Sequence, residues 1–306
     1  MRLESSWLRR FAVRGVFWRQ YLDWAIANTP FYMHFVLLCF WTLFFFFFAA
    51  PARRAVIANL RVVLPESSRV MNCLRALRTF YNFAWTISDG AIYRLTKAEF
   101  RYHIIGSEFL EQLAAAPGAI VLTAHMGNYD LGAALFAQKF NRPIQMVRAP
   151  EPHDETEEHL RTSLSEMGEG GVSIAYNTAG ALLSFGLLDA LRRGEIVSIQ
   201  GDRVVGDVAP TDGLLFGRCA QLPNGPFILA RAAEVPIFPL FIVRGGYRSY
   251  EIIVREPIRV CRHSVERQND IAPAVTQWCN VLEQTIAQHC SQWFGFAPVF
   301  ARNVAR

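Results

Sequence analysis

A single apolar run near the start of the chain constrains the fold more than any other feature of the sequence. Residues 31–50, FYMHFVLLCFWTLFFFFFAA, contain no Asp, Glu, Lys or Arg. At 1.5 Å per residue, a helix of this length is roughly 30 Å long and matches the hydrocarbon core of a bilayer. We therefore predict an N-terminal hydrophobic membrane helix. A buried core helix and a segment lying in one leaflet stay open, and a cleavable signal peptide is disfavoured because the run is long and begins late.

Basic residues flank this run on both sides. Residues 2–24 place arginines among many aromatic residues, a pattern typical of an interfacial helix, although an amphipathic helix packed on the body would look the same. The two flanks carry similar numbers of arginines, so charge does not decide the orientation of the run: they are Arg9, Arg10, Arg14 and Arg19 upstream, and Arg53, Arg54 and Arg61 downstream. We predict an anchor over residues 1–51 and one globular domain over 52–306.

Composition narrows the class of protein further. A chain of 306 residues with 52% hydrophobic and 19% charged residues is not disordered, and a mean hydropathy of +0.17 is too low for several membrane spans. The net charge of +5 comes almost entirely from arginine, since Lys97 and Lys139 are the only lysines. Arginine favours anionic partners, whether phospholipid head groups, phosphorylated carriers or nucleic acid. The six cysteines form no C-x-x-C pair and no even ladder of short spacings, so neither a zinc ribbon nor a secreted disulfide scaffold is indicated, and a reducing compartment is the default interpretation.

The spacing of apolar residues predicts an α/β fold. Residues 52–96 have helical periodicity, and beyond them short β-rich runs alternate with longer helical runs. The predicted strands are 118–124, 143–148, 172–176, 195–201, 236–243 and 250–256. The predicted helices are 128–140, 153–168, 179–192, 225–234 and 271–291. This alternation indicates a largely parallel central sheet flanked by helices, with an antiparallel hairpin near Gly245-Gly246.

A histidine and an aspartate follow the first of these strands. His125 and Asp130 stand five residues apart at the carboxyl end of strand 118–124, the edge where open α/β sheets bind ligands. If Gly127 and Asn128 form a turn, Asp130 falls in the first turn of the next helix and its carboxylate can orient the imidazole. The other ring nitrogen is then a general base whose nucleophile is a substrate hydroxyl or a water. A structural histidine at a strand end is the alternative.

Other motifs in the sequence give only weak evidence for a metal, nucleotide or nucleic-acid site. The fragments Gly127 through Asp130 and Gly201 through Gly206 resemble metallophosphoesterase motifs but come in the wrong order. A metal site around His153 and His159 is disfavoured against a solvated charged helix face, because there is no H-E-x-x-H. The sequence has no G-x-S-x-G, Walker A or G-x-G-x-x-G motif, and no recognisable nucleic-acid motif.

Several short blocks along the chain carry a family resemblance. In order they are Asn59-Leu60 before Pro65-Glu66, His125 through Asp130, Arg148, Leu191 through Gly194 before Gly201-Asp202-Arg203, Phe216 through Ala220 before Pro223, Gly225 and Pro226, and Ser291 through Phe294. Their order and spacing resemble the lipid A biosynthesis late acyltransferases, which belong to the lysophospholipid acyltransferase superfamily. The resemblance covers most of the chain and makes residues 52–306 an acyltransferase domain.

The resemblance implies an O-acyltransferase in which His125 and Asp130 are catalytic. His125 removes a proton from a lipid or glycolipid hydroxyl, which attacks the acyl thioester of acyl carrier protein or coenzyme A, with no metal or other cofactor. The substrate contacts implied are Asn128, Arg148, Asp202, Arg203, Gly217, Arg218 and Gly225. The arginines would contact phosphate or an oxyanion. They could equally be surface or ion-paired residues, and Asp202 a structural aspartate or the partner of Arg203.

Two departures from the family pattern leave the acceptor lipid open. Asp130 stands where many lipid A enzymes have Glu, and Gln200 through Arg203 replaces an aspartate-rich stretch. The resemblance implies a place in lipid biosynthesis at the bacterial inner (plasma) membrane, with the catalytic domain on the cytoplasmic side and no nucleic-acid partner. A non-catalytic lipid-binding relative and a lipid hydrolase remain the alternative functions.

Overall fold

The computed structural model describes residues 16–178, 180–206, 208–262 and 267–300. The predicted interfacial segment lies partly outside this set, because residues 2–15, with Arg9, Arg10 and Arg14, are not among the described residues. The rest of that segment belongs to the first helix that the structure describes, α1 (Val16–Asn28).

Helices and strands alternate through most of the described chain. The helices after α1 are α2 (Phe31–Phe48), α3 (Ala50–Val63), α4 (Arg69–Thr96), α5 (Ser107–Ala115), α6 (Tyr129–Phe140), α7 (Asp154–Met167), α8 (Gly180–Arg192), α9 (Gly225–Ala233) and α10 (Arg267–Gln288). The strands are β1 (Arg101–Ile105), β2 (Ala119–Thr123), β3 (Ile144–Arg148), β4 (Val172–Tyr176), β5 (Ile196–Gln200), β6 (Pro210–Leu215), β7 (Arg218–Pro223), β8 (Ile237–Gly246) and β9 (Ser249–Val254).

The central sheet is largely parallel, as predicted. Among the described residues it has seven strands in the order β1-β9-β8-β2-β5-β3-β4. Strands β8, β2, β5, β3 and β4 are parallel to one another. Strand β9 is antiparallel to β8, with an irregular register between Arg244 and Gly246, and β1 is parallel to β9. The predicted α/β class is therefore confirmed, and so is the hairpin near Gly245-Gly246.

The sequence pattern did not predict β1, α5 or the β6–β7 hairpin. Strand β1 lies at the sheet edge, pairs only with β9 among the described strands, and buries little of its surface. Strands β6 and β7 form a separate two-stranded sheet, and their sequences PTDGLL and RCAQLP contain residues that are depleted in strands. Short, half-exposed segments such as these lack a clear hydrophobic period.

Two apolar cores lie on opposite faces of the sheet. Strand β2 is buried along its whole length, and its alternate residues serve the two faces: Ile120 and Leu122 join the core that contains α8, α9 and α10, whereas Ala119 and Val121 join the core that contains α5, α6 and α7. This double burial explains why the strand is an unbroken apolar run. Both cores hold the carboxyl end of β2 in a fixed position.

The apolar helix α2 packs on α4. The side chains of Leu38, Thr42 and Phe46 are buried, and the Phe46 ring contacts Phe80 of α4 at a centroid distance of 5.5 Å. The rest of α2 is largely exposed, and by length and composition this helix could cross a membrane. Phe46 and Phe80 also share an apolar cluster with Leu60 of α3. The division of the chain after residue 51 stays a prediction.

A buried carboxyl group joins α4 to the β8–β9 hairpin. The Asp89 side chain has no solvent exposure, and its Oδ2 accepts a hydrogen bond from the Tyr250 hydroxyl at 2.6 Å. The Arg244 Nε lies 3.6 Å from the same oxygen, whereas Oδ1 has no hydrogen-bond partner among the described residues. Burial raises the pKa of Asp89 from 3.8 to about 6, against the opposing effects of Tyr250, Arg244 and Arg248.

This raised pKa predicts a pH-dependent contribution to stability. The folded state holds the Asp89 proton more tightly than the unfolded chain, so stability falls as the pH rises from about 4 to about 6, by about 3 kcal/mol in total. Asp89→Asn removes this contribution. We expect the difference in unfolding free energy between wild type and Asp89→Asn to change by about that amount between pH 4 and pH 7, measured by urea unfolding in detergent.

Glu158→Gln supplies the control, because Glu158 is an exposed carboxylate on α7. Its difference from wild type should stay nearly constant over the same pH range. A constant difference for Asp89→Asn as well would contradict the raised pKa.

Candidate active site

The loop after β2 is held by the backbone of β8. Asn128 donates its backbone N–H to the Ile242 carbonyl at 2.9 Å. Gly127 has a φ of +54°, and a Cβ there would lie 1.6 Å from the same carbonyl oxygen, so only glycine fits. The Asn128 side chain accepts a hydrogen bond from Leu131 N and caps α6. These contacts place His125 at the carboxyl edge of the sheet.

His125 is paired with Asp202 at this edge. The His125 Nδ1 lies 2.7 Å from the Asp202 Oδ1, and the His125 backbone N–H donates to the same oxygen at 3.2 Å. The two residues meet because β2 and β5 are parallel neighbours, with Thr123 opposite Gln200. Both strands end at the same level, and the residues that follow them are therefore adjacent. The His125 side chain is 19% exposed, and that of Asp202 is fully buried.

The surroundings of Asp202 keep its carboxylate ionised. Its Oδ2 accepts a hydrogen bond from the Trp293 indole N–H at 2.9 Å, and the Arg203 Nη1 lies 3.7 Å away. Burial by itself would raise the pKa of Asp202, but the electrostatic effects of His125 and of the Arg203 charge, with hydrogen bonds from His125 and Trp293, lower this pKa well below its ordinary value. The carboxylate therefore fixes the proton of His125 on Nδ1 and leaves Nε2 as a base.

Asp130 does not orient His125, and this prediction was wrong. The Asp130 Oδ1 instead accepts a hydrogen bond from the Arg148 Nη1 at 2.7 Å. Asp130 lies in the first turn of α6, which connects β2 to β3, and Arg148 is the last residue of β3. The Arg148 guanidinium also lies over the Tyr129 ring, 5.8 Å from its centroid. Asp130 is thus the ion-pair partner of Arg148.

Two predicted substrate contacts are buried in the protein, and these predictions are corrected. Asp202 is inaccessible to substrate because it is fully buried beneath His125. Asn128 is 2% exposed, and its side-chain amide donates to the Thr86 carbonyl and to the Tyr250 hydroxyl. Tyr250 in turn binds Asp89, so the turn after His125 is tied to that buried carboxyl group.

The two strand-end arginines lie near the pair but bind protein groups. Arg203 donates to the Phe294 carbonyl at 3.1 Å, and Arg148 is bound to Asp130. Their side chains are 17% and 15% exposed, respectively. A further role of these two arginines in binding substrate stays a prediction.

The remaining predicted contacts lie around the β6–β7 hairpin. Gly217, with a φ of +68°, forms the hairpin turn, and the exposed Arg218 begins β7. The hairpin is joined to α10, because Phe216 N–H donates to the Glu283 carboxylate at 2.7 Å. Gly225 begins α9. The roles of these three residues in binding substrate stay predictions.

Sequence reasoning did not assign a site role to the segment Gln292–Phe294. Trp293 binds Asp202, and Phe294 N–H donates to the His125 carbonyl at 2.7 Å. The Gln292 side-chain amide accepts from Arg244 N–H at 2.6 Å and donates to the Arg244 carbonyl at 2.8 Å, which fixes the segment on β8. The resemblance of Ser291 through Phe294 to a family block was the only sequence signal for this segment, and it did not indicate the contact with Asp202.

The donor groups of the described chain do not suggest a metal centre. Among these residues no group of three or more His, Cys, Asp or Glu side chains could hold a metal ion. His153 and His159, which were considered as ligands in the sequence, lie at the start and within α7. His159 contacts Asp23 of α1, with 3.5 Å between Nε2 and Oδ2.

Comparison with known proteins identifies the family. A search of curated proteins finds no match. The profile of the family described as bacterial lipid A biosynthesis acyltransferase matches residues 4–302, nearly the whole chain. The match confirms the resemblance drawn from the short blocks and supports an enzyme that acts on lipid. The chain belongs to the bacterial lipid A biosynthesis acyltransferase family.

Proposed function

We propose that this protein is a membrane-bound O-acyltransferase that transfers a fatty acyl chain from a thioester to a hydroxyl of a lipid or glycolipid. The observation that carries the proposal is the pairing of His125 with the buried, ionised Asp202 at the carboxyl edge of the sheet. A buried carboxylate behind an accessible imidazole is the arrangement of a general base. The base acts on a substrate hydroxyl, so no protein nucleophile is needed.

The reaction then follows from the position of the His125 proton. Nε2 takes the proton of the acceptor hydroxyl while the hydroxyl oxygen bonds to the thioester carbonyl carbon. The tetrahedral intermediate expels the thiolate as the C–S bond breaks, and the imidazolium returns the proton to sulfur. The products are an ester and a free thiol. Asp202 stabilises the imidazolium and keeps the ring in the reactive tautomer throughout.

The acyl donor is an acyl carrier protein or coenzyme A thioester, and the site is on the cytoplasmic side of the bacterial inner membrane. All six cysteines are free, and three exposed ones, Cys73, Cys219 and Cys261, lie outside α2. Exposed free thiols suit a reducing compartment such as the cytoplasm. Both donors carry phosphate groups, and the arginine-rich composition favours such partners.

The apolar helix α2 attaches the protein to one leaflet. Phe35 contacts Trp85 of α4 and Tyr247 of the β8–β9 turn, whereas Phe46, three turns further along α2, contacts Phe80. Because α2 is held on the folded body near both ends, a perpendicular span would draw α4 and its charged neighbours into the hydrocarbon. An orientation in the membrane plane leaves these groups in water and immerses only the exposed face of α2.

Incubation of the protein with membranes and a radiolabelled acyl thioester tests the proposed reaction. Label that appears in lipid supports the acyltransferase. Label released as free fatty acid supports a hydrolase, in which water replaces the hydroxyl. Label that stays on the thioester supports a lipid-binding relative without turnover. Mass spectrometry of lipids from cells with and without the protein then identifies the acceptor.

We expect His125→Ala to abolish acyl transfer, because the variant lacks the imidazole nitrogen that takes the hydroxyl proton in the proposed mechanism. The measurement is the rate of label transfer, with circular dichroism to verify the fold. His103→Ala is the matched control, since His103 is an exposed histidine on the edge strand β1. Turnover by a folded His125→Ala protein at the control rate would refute the mechanism.

The structure also separates the roles of the two aspartates. Asp202→Asn should lower kcat by about 10³- to 10⁴-fold, because an amide no longer fixes the reactive tautomer. The loss of kcat caused by Asp130→Asn should be smaller than the loss caused by Asp202→Asn, by a factor of about ten or more. The effects of Asp130→Asn and Arg148→Gln should be non-additive, since the two side chains form one pair. Single-turnover rates of the three single variants and of the Asp130→Asn, Arg148→Gln double variant provide the test. An Asp130→Asn loss equal to that of Asp202→Asn would reverse the assignment.

A further inference from the structure

The first half of α8 exposes apolar side chains that the fold does not require. Leu182 and Phe185 are 80% and 70% exposed, and their spacing places them on one face of the helix. No charged residue occurs from Gly180 through Leu188. Leu187 and Leu191, by contrast, are buried in the core. An exposed apolar face of this kind indicates contact with another apolar surface.

The start of α8 lies at the same edge of the sheet as His125. Helix α8 leads through a short turn into β5, whose last residue, Gln200, pairs with Thr123 of β2. The helix therefore runs antiparallel to β5, with its first turn at the carboxyl edge. The loop before α8 also reaches the loop after Asp202, because the Asn177 side chain donates to the Val205 carbonyl at 2.8 Å.

Helix α2 lies on the other side of His125. The Asn128 side chain of the His125 loop donates to the Thr86 carbonyl of α4, and α2 covers this part of α4 through Phe35, whose ring centroid lies 5.0 Å from that of Trp85. Exposed apolar side chains therefore occur at the carboxyl edge on both sides of His125, on α2 and on α8.

We propose that the first two turns of α8 are a second membrane contact, so that the carboxyl edge of the sheet rests on one leaflet with His125 between α8 and α2. This inference depends on the leaflet attachment of α2 proposed above. It implies that a lipid hydroxyl at the head-group level reaches His125 without leaving the bilayer.

The charge distribution on α8 favours lipid over a protein partner. Asp189, Arg192 and Arg193 all lie in or just after the last turns of the helix, toward the opposite edge of the sheet. The helix thus has an uncharged end at the carboxyl edge and a charged end away from it. An acidic carrier protein would be expected to bind basic residues, and the first two turns of α8 contain none.

Photo-crosslinking of the full chain tests this contact. We would replace Phe185 with p-benzoylphenylalanine, bind the protein to vesicles of phosphatidylethanolamine and phosphatidylglycerol, irradiate, and measure adducts by mass spectrometry. The control places the same group at Gln112, an exposed residue near the end of α5 at the opposite edge. We expect at least about fivefold more lipid adduct at position 185 than at position 112.

Equal lipid adduct at the two positions would overturn the proposal. So would a shift of the position-185 adduct from lipid to protein on addition of acyl carrier protein, which would make α8 a carrier-docking surface. Because crosslinking requires no turnover, its failure is distinguishable from failure of the proposed acyl transfer.

Vesicle sedimentation gives an independent readout. Phe185→Ser should weaken binding to the same vesicles several-fold, because it removes a large apolar group from the contact. The matched control is Ile105→Ser, which changes a partly exposed apolar residue at the end of β1, at the opposite edge. Equal vesicle affinity of the two variants would contradict a membrane contact at α8.

Discussion

The contact between His125 and Asp202 organises the rest of the site. A fully buried carboxylate is costly unless its oxygens are hydrogen-bonded and its charge is paired. Asp202 meets this requirement with the ring and backbone N–H groups of His125, the Trp293 indole and the nearby Arg203. These donors come from three distant parts of the sequence. The pair therefore exists only when both sheet neighbours and the C-terminal segment are in place.

The His125 loop is held from two directions. On one side, Gln292 binds the backbone of β8, and the segment that follows it binds His125 and Asp202. On the other side, Asn128 is linked through Tyr250 to Asp89, whose Oδ1 has no hydrogen-bond partner in the described parts of the chain. Such a network has few ways to relax, which suits a base that must stay within hydrogen-bond reach of a hydroxyl.

The proposed placement of the site at the membrane depends on the same sheet edge. Helix α2 packs on α4, and α4 contacts the turn after His125. Helix α8 begins at this edge because it runs antiparallel to β5. The geometry brings an imidazole base and two exposed apolar surfaces to one side of the molecule, and the proposed attachment to a leaflet would use that side. A substrate with its acyl chains in the bilayer could then present its hydroxyl to the base.

Local sequence pattern was enough to predict the elements with strong periodicity and the position of His125. The helix Phe31–Phe48, the β-rich runs and His125 at the end of β2 were all predictable, because each depends on local pattern. The weakly patterned β1 and the β6–β7 hairpin were not. The partner of His125 depends on how the strands are arranged in the sheet: Asp130 is close in sequence but lies on α6 and binds Arg148, whereas Asp202 is adjacent because β5 is the neighbour of β2. Strand order is a property of the whole sheet, and no local spacing in the chain encodes it.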